Sequence, residues 1–286
     1  MASDRERNDG KGRKGGYNPA AGQIRSRANG GTGGGPRRPP AGREDASGWI
    51  WGVHAAEAAL VNPDRPKPDR LLATADRAKA IAALRPDLKP EIVEAAEIAR
   101  RLPPNAAHQG VAIRTPALEG VSLDDIAHPA SGVILMLDQV TDPQNVGAIL
   151  RSAAAFGARG VVMQERHAPP LGGALAKAAA GALEKIAVVR AVNLSRALEA
   201  LSDAGWTSIG LDSAGSVPFH DSVNGAPVVI VLGSEGEGLR RLVAEHCDVL
   251  AKIPMPGGFE SLNVASAAAI SLYEVLGRMG ARVTGE

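Results

Sequence analysis

Residues 228–239 read V-V-I-V-L-G-S-E-G-E-G-L, five apolar and mostly β-branched residues that stop at a polar, glycine-rich turn. A run of that length without polar alternation is the pattern of an inner strand of a parallel sheet, buried on both faces. The construction recurs twice. V-I-L-M-L at 133–137 runs into D-Q-V-T-D-P-Q-N-V-G-A-I-L-R-S-A at 138–153, and V-L-A-K-I at 249–253 runs into P-M-P-G-G-F-E-S-L-N-V-A-S-A-A at 254–268. Further strand-like runs at about 160–163, 186–189 and 206–211 alternate with helical patterns, with one irregular connection at 212–227. This alternation predicts an α/β fold with a parallel sheet covered on both faces. In such a sheet, polar loops at the carboxyl ends of the strands describe a ligand site.

Helix entry signals support the same layout. Asp142 is suited to the N-cap and Pro143 to the first helical position, and Asn193 stands in the same relation to L-S-R-A-L-E-A-L. A final helix over about 263–279 has Ala265, Ala268, Ala269 and Leu272 among its candidates for burial. Upstream, 49–115 alternates short apolar strands with Ala-rich stretches (H-A-A-E-A-A-L-V at 54–61, R-L-L-A-T at 70–74, D-R-A-K-A-I-A-A-L-R at 76–85, G-V-A-I-R at 110–114), interrupted by Pro63, Pro66 and Pro68. It reads as a small α/β domain. Residues 116–131, with Pro116, Gly120 and Pro129, read as a linker across which the domains can move, and 132–286 as the second domain.

Composition limits the setting. With 286 residues, 44% of them hydrophobic, the chain can hold two ordinary cores, and no apolar stretch approaches a membrane span. The single cysteine, Cys247, has no disulfide or metal-ligand partner in sequence, which fits a reducing, cytoplasmic setting. Residues 1–48 carry ten Lys or Arg against five Asp or Glu, and 12 glycines. Such a segment buries too little to order itself and reads as a basic arm, attracted to RNA phosphates or merely solubilising.

The three polar loops hold the residues able to carry chemistry. Gly233 ends a buried strand, where a glycine admits close backbone approach. Its loop is not the dinucleotide fingerprint G-x-G-x-x-G, which counts against a nucleotide-dependent dehydrogenase. Arg151 follows Gly147 by four residues and Ala148 by three, so small neighbours leave its guanidinium unobstructed. Asn145 sits in the first helical turn; Glu235 can accept hydrogen bonds from Arg151, Asn145 or loop amides; Ser261 and Asn263 can cap the last helix. His54 in W-G-V-H and His108 in H-Q-G have neither a metal-ligand set nor a Ser-His-Asp constellation in sequence, and are read as shaping loops of the small domain. Eight aromatic residues leave no row of base-stacking platforms, so a nucleic acid partner would have to be recognised by shape, phosphates and one extruded nucleotide.

The order and spacing of Asn145, Arg151, Glu235, Ser261 and Asn263 resemble motifs 1, 2 and 3 of the SpoU or TrmH-type (SPOUT) RNA 2'-O-methyltransferases. The module opening W-G-V-H-A at 51–55 and closing H-Q-G-V-A-I-R at 108–114 is similar to the L30e-like RNA-binding domain of the branch that methylates a guanosine ribose in 23S ribosomal RNA, in the peptidyl-transferase region. The resemblance covers roughly residue 49 to the end. It implies a carboxyl-terminal trefoil knot, a homodimer, no membrane association and S-adenosylmethionine as methyl donor. It further implies cofactor contacts at Gly233, Ile253, Met255, Ser261, Leu262 and Asn263, with Arg151, Asn145 and Glu235 in the catalytic set. The substrate would be 23S ribosomal RNA or a ribosomal precursor. A transfer RNA ribose methyltransferase is the nearest rival, and a non-catalytic RNA-binding factor with the same fold is the rival from another class.

Overall fold

Val228–Leu232 forms the central strand, β10, of a seven-stranded parallel sheet in a computed structural model that describes residues 48–225, 227–258 and 261–278. The basic arm lies outside the described residues. The sheet runs β7-β6-β5-β10-β8-β11-β9. Its strands are β5 (Val133–Leu137), β6 (Gly160–Gln164), β7 (Ala187–Ala191), β8 (Thr207–Leu211), β9 (Val217–Pro218), β10 and β11 (Val249–Lys252). Each strand pairs in parallel with its neighbours, Val228 lying opposite both Val133 and Thr207. The carboxyl ends of β5, β10 and β11 therefore share one edge.

Side chains of successive strand residues point to opposite faces. Val133, Leu135 and Leu137 join Val228, Ile230 and Leu232 in one core, while Ile134, Met136, Val229 and Val231 face a second core built with Leu198, Leu201 and Trp206. Burial on both faces is why these strands read as unbroken apolar runs. The helices here are α4 (Leu123–Ala127), α5 (Pro143–Ala155), α6 (Gly173–Ala179), α7 (Leu194–Asp203), α8 (Phe219–Ser222), α9 (Arg241–Glu245) and α10 (Val264–Arg278), with one 3-10 turn at Ala182–Glu184. Asp142 caps α5 through the amides of Gln144 and Asn145, Pro143 follows in the first turn, and Asn193 caps α7 through the amide of Arg196.

Gly147 is buried against α6, where an added Cβ would stand 2.5 Å from the Ala178 Cβ and 2.7 Å from the Leu175 carbonyl oxygen. Its small size lets two helices touch, and does not serve to clear space for Arg151. Substituting Gly147→Val should destabilise the fold by about 2 kcal/mol through overpacking, despite removing a helical glycine. Urea unfolding checks this as a lower midpoint.

The amino-terminal sheet has β1 (Trp49–Trp51), β2 (Arg70–Ala73), β3 (Glu91–Ile92) and β4 (Val111–Arg114) in the order β1-β4-β2-β3, with α1 (Val53–Val61), α2 (Ala75–Leu84) and α3 (Ala95–Arg101). It is closely joined to the larger sheet. The Arg65 guanidinium and Glu184 carboxylate, 2% and 4% exposed, pair at 2.7 Å. Asn62 donates to the same carboxylate at 2.8 Å, and Arg65 also donates to the Pro116 carbonyl at 2.8 Å. Residues 116–131 are not a bare linker: Leu123–Ala127 is helical, the indole of Trp206 donates to the Ala127 carbonyl and Arg159 donates to that of Ile126. These ties oppose the free domain movement read from the proline and glycine content of that stretch, because removing either member of a buried ion pair strands the other.

Candidate functional site

At the carboxyl edge of the large sheet the three polar loops meet through side-chain amides and one carboxylate. Asn145, in the first turn of α5, donates to Glu235 Oε1 at 3.1 Å. Asn263, before α10, donates to the same oxygen at 2.7 Å and to Asn145 Oδ1 at 3.0 Å. The Val264 amide also points at Glu235 Oε1, at 3.5 Å. A carboxylate accepts only, and a primary amide both donates and accepts, so these contacts are complementary and fix the three loops against one another.

Each member is held from behind. Asn263 Oδ1 accepts from the amides of Ala265 and Ser266, which caps α10. Ser261 does not share that capping role: it is exposed, lies two residues before the cap, and shows no hydrogen bond among the described residues. Glu235 sits in a loop closed by two backbone bonds, Ser234 N–H to the Gly238 carbonyl at 3.2 Å and Gly238 N–H to the Ser234 carbonyl at 3.0 Å. A Cβ on Gly233 would fall on the Gly238 carbonyl and the Leu239 amide. Gly233 is thus demanded by the fold-back of its own loop, without a left-handed φ.

Below this loop lies a pairing between residues 102 apart in sequence. Asp138, fully buried at the end of β5, accepts from the Arg240 backbone amide at 2.8 Å and from its Nε at 2.7 Å. This joins the start of the first loop to the end of the second. Nothing in the local pattern around either residue announces it. Cys247 packs nearby, and burial, reinforced by the charges of Asp248 and Asp138, pushes its thiol up to about 12. It is therefore a protonated packing residue at neutral pH.

The apolar candidates lie along the third loop. Ile253 and Met255 are half-buried, Ile253 resting on the core, and Leu262 is 38% exposed. Among the described residues nothing stands within 4 Å of where side chains would begin on Gly257 and Gly258.

Arg151 is not brought to this cluster within one chain. Six residues beyond Asn145, it lies roughly 9 Å farther along α5 and on another side of it. It is exposed and lines a groove against α1, so Glu235 takes its hydrogen bonds from Asn145, Asn263 and Val264, and not from Arg151. The amino-terminal motifs have a structural part. His108 Nδ1 accepts from the Gly110 amide at 3.2 Å, and burial holds its pKa below the usual histidine range. Gln109 Oε1 accepts from the Val53 amide at 3.2 Å and from Lys177 of α6 at 2.5 Å, so W-G-V-H and H-Q-G grip each other and the larger sheet at one point. Among the described residues there is no group of three or more metal-ligating side chains, and no helix is long and apolar enough to cross a membrane.

Comparison with known proteins points to one group. A family model described as the SpoU rRNA methylase family matches residues 132–273. An uncharacterized tRNA/rRNA methyltransferase of Mycolicibacterium smegmatis is 35% identical over 244 residues, covering 78% of each chain. One of Synechocystis is 42% identical over 181 residues, covering 62% of this chain and 47% of its own, so the match spans about half that relative's length. Among solved structures, the SpoU methyltransferase AviRb of Streptomyces viridochromogenes, in complex with the cofactor AdoMet, aligns with a TM-score of 0.68 and 29% identity over 82% of this chain and 91% of that one.

Proposed function

From the SpoU methylase family, to which this chain belongs, we propose that it transfers a methyl group from S-adenosylmethionine to the ribose 2'-oxygen of a guanosine in 23S ribosomal RNA. The observation that carries this reading is the Asn145–Glu235–Asn263 triangle, which binds the three family motifs into one constellation at the carboxyl edge of a parallel sheet.

The residues fit an adenosyl donor. Half-buried Ile253 and Met255 and exposed Leu262 offer apolar contact, while the loop at Gly233 offers backbone groups that read an adenine edge without a charged side chain. Ser261 and Asn263, on the same third loop, are assigned to the donor's polar contacts. The bound donor supplies an electrophilic methyl carbon on sulfonium. The protein's own part is positioning: the ribose oxygen must stand in line behind that carbon.

Arg151 holds the target ribose and its phosphate and stabilises the alkoxide as it forms. A guanidinium has no acceptor when protonated and a pKa above about 12, so the hydroxyl proton leaves to a phosphate oxygen or only transiently to the arginine. Asn145 and Glu235 keep the loops in register around that reaction.

Because Arg151 and the donor pocket lie apart in one chain, two copies complete a site together, Arg151 of the partner subunit facing the pocket at Gly233, Ile253 and Leu262. Exposed Leu262, Ile270 and Tyr273, respectively 38%, 44% and 72% accessible, provide apolar surface on and beside α10 for that pairing. The amino-terminal sheet, with its W-G-V-H and H-Q-G turns, captures the RNA.

Incubation with radiolabelled S-adenosylmethionine and separate ribosomal and transfer RNA pools tests the reading. Label should enter 23S ribosomal RNA and resist alkaline hydrolysis as a 2'-O-methyl dinucleotide. Label in transfer RNA alone overturns the substrate, and label in no RNA overturns the activity.

A further inference from the structure

Four ionisable side chains converge on a groove of about 580 Å³ between the amino-terminal sheet's α1 and the α5–α6 face: His54 and Glu57 of α1, Arg151 of α5, and Lys185 just after the 3-10 turn. His54 and Glu57 stand three residues apart on one helix and so share a face. The groove is floored largely by alanines, including Ala58, Ala154 and Ala180, whose short side chains leave its volume open. Among the described residues none of the four ionisable groups has a hydrogen bond or ion pair within the protein.

That contrasts with the seam beside it, where Arg65 is paired with Glu184 and Lys177 with Gln109. Charges that structure alone requires are satisfied here, while those lining the groove have no partner among the described residues. Such a surface is complementary to a ligand that brings its own anion for the cations and its own N–H donors for the carboxylate. The volume suits one nucleotide.

The carboxylate narrows the choice of base. Guanine presents two adjacent donors, N1–H and the 2-amino group, which match the two oxygens of a carboxylate. Uracil flanks its one N–H with carbonyls, and adenine and cytosine set their amino group beside an acceptor nitrogen, so each turns an acceptor toward the carboxylate. Resting on the reading of Arg151 as the residue that holds the target ribose, we infer that this groove is the guanine pocket of the enzyme. Glu57 accepts from N1–H and the 2-amino group of the extruded base, while Lys185 and His54 face the adjoining phosphates. The specificity for guanosine then lies in α1 and not in the methyl-transfer loops. It also explains why the gripping contacts of Gln109 and Arg65 are needed: they set α1 at a fixed distance from Arg151.

Binding of guanosine, inosine and adenosine 5'-monophosphates to the full chain, followed by saturation-transfer NMR and calorimetry, tests this without recourse to turnover. Inosine monophosphate keeps N1–H and lacks the 2-amino group. The wild-type chain should bind the guanosine nucleotide more tightly than the inosine one by on the order of tenfold, and the adenosine one least. Glu57→Gln, isosteric at a half-buried side chain with no partner among the described residues, should keep its melting temperature and bring guanosine and inosine nucleotides to within about twofold. Lys185→Ala should weaken all three alike. Equal binding of guanosine and inosine nucleotides by the wild type, a preference that survives Glu57→Gln, or no saturable binding at millimolar nucleotide overturns the pocket. A chain that prefers the guanosine nucleotide yet labels no RNA would keep the pocket and lose the methyltransferase reading; one that labels RNA without that preference would do the reverse.

Discussion

Arg151→Lys is expected to lower methyl transfer to RNA by on the order of 100-fold while S-adenosylmethionine binds as before. On the proposed role of Arg151, the substitution keeps a positive charge near the reacting ribose and removes the planar fork that can hold a phosphate and a developing alkoxide together. Loss of one preorganised stabilising contact at a transition state costs roughly that much in other enzymes. The prediction separates positioning from folding, because Arg151 is exposed and supports no core contact. Single-turnover rates with saturating donor, together with calorimetric donor binding, check it. Near-normal turnover in the lysine variant would remove Arg151 from the chemistry.

The second large effect concerns stability. Arg240→Ala should destabilise the protein by about 3 kcal/mol, because it leaves the fully buried carboxylate of Asp138 without its cation. The value belongs at the low end for a broken buried pair, since the Arg240 side chain is itself 41% exposed and has already kept part of its hydration. The same change should disturb donor binding, as Arg240 closes the loop that begins at Gly233. Urea denaturation with an unchanged slope and a lower midpoint is the expected signature. An unaltered midpoint would show that the Arg240 backbone amide alone suffices for Asp138.

How much of this could be read from the residues follows from which interactions are local. The runs at 133–137 and 228–232 announce buried parallel strands because both faces of the sheet are covered, and β5 and β10 occupy those bounds. Asp142 and Asn193 are legible as caps because a cap bonds amides two and three residues away. The irregular stretch 212–227 hides the two-residue β9 and the single turn α8, too short to carry a period. The triangle of Asn145, Glu235 and Asn263 could be anticipated only as three loops on one edge; which atom bonds which depends on packing across 28 to 118 positions. Asp138 with Arg240 and Gln109 with Lys177 were invisible for the same reason, and neither has a pattern of its own. Gly147 reads differently in sequence and structure because a helical glycine beside a candidate arginine looks like clearance for it, while the facing helix α6 is not known from sequence. His54 illustrates the opposite case: the residue stands out in W-G-V-H, but only the fold sets it in one groove with Glu57, Arg151 and Lys185.

The proposed methyl-transfer site is shared by two copies, with Arg151 from one and the Gly233 loop from the other. Complementation between two inactive variants measures this directly. Arg151→Ala lacks the ribose-holding group, and Gly233→Ala cannot close its loop, since the new methyl group would fall on Gly238. After subunit exchange, half the dimers carry one intact site, and activity should recover to about a quarter of the wild-type value. Activity that stays at the level of the separate variants, in a mixture shown to contain exchanged dimers, would contradict the shared site.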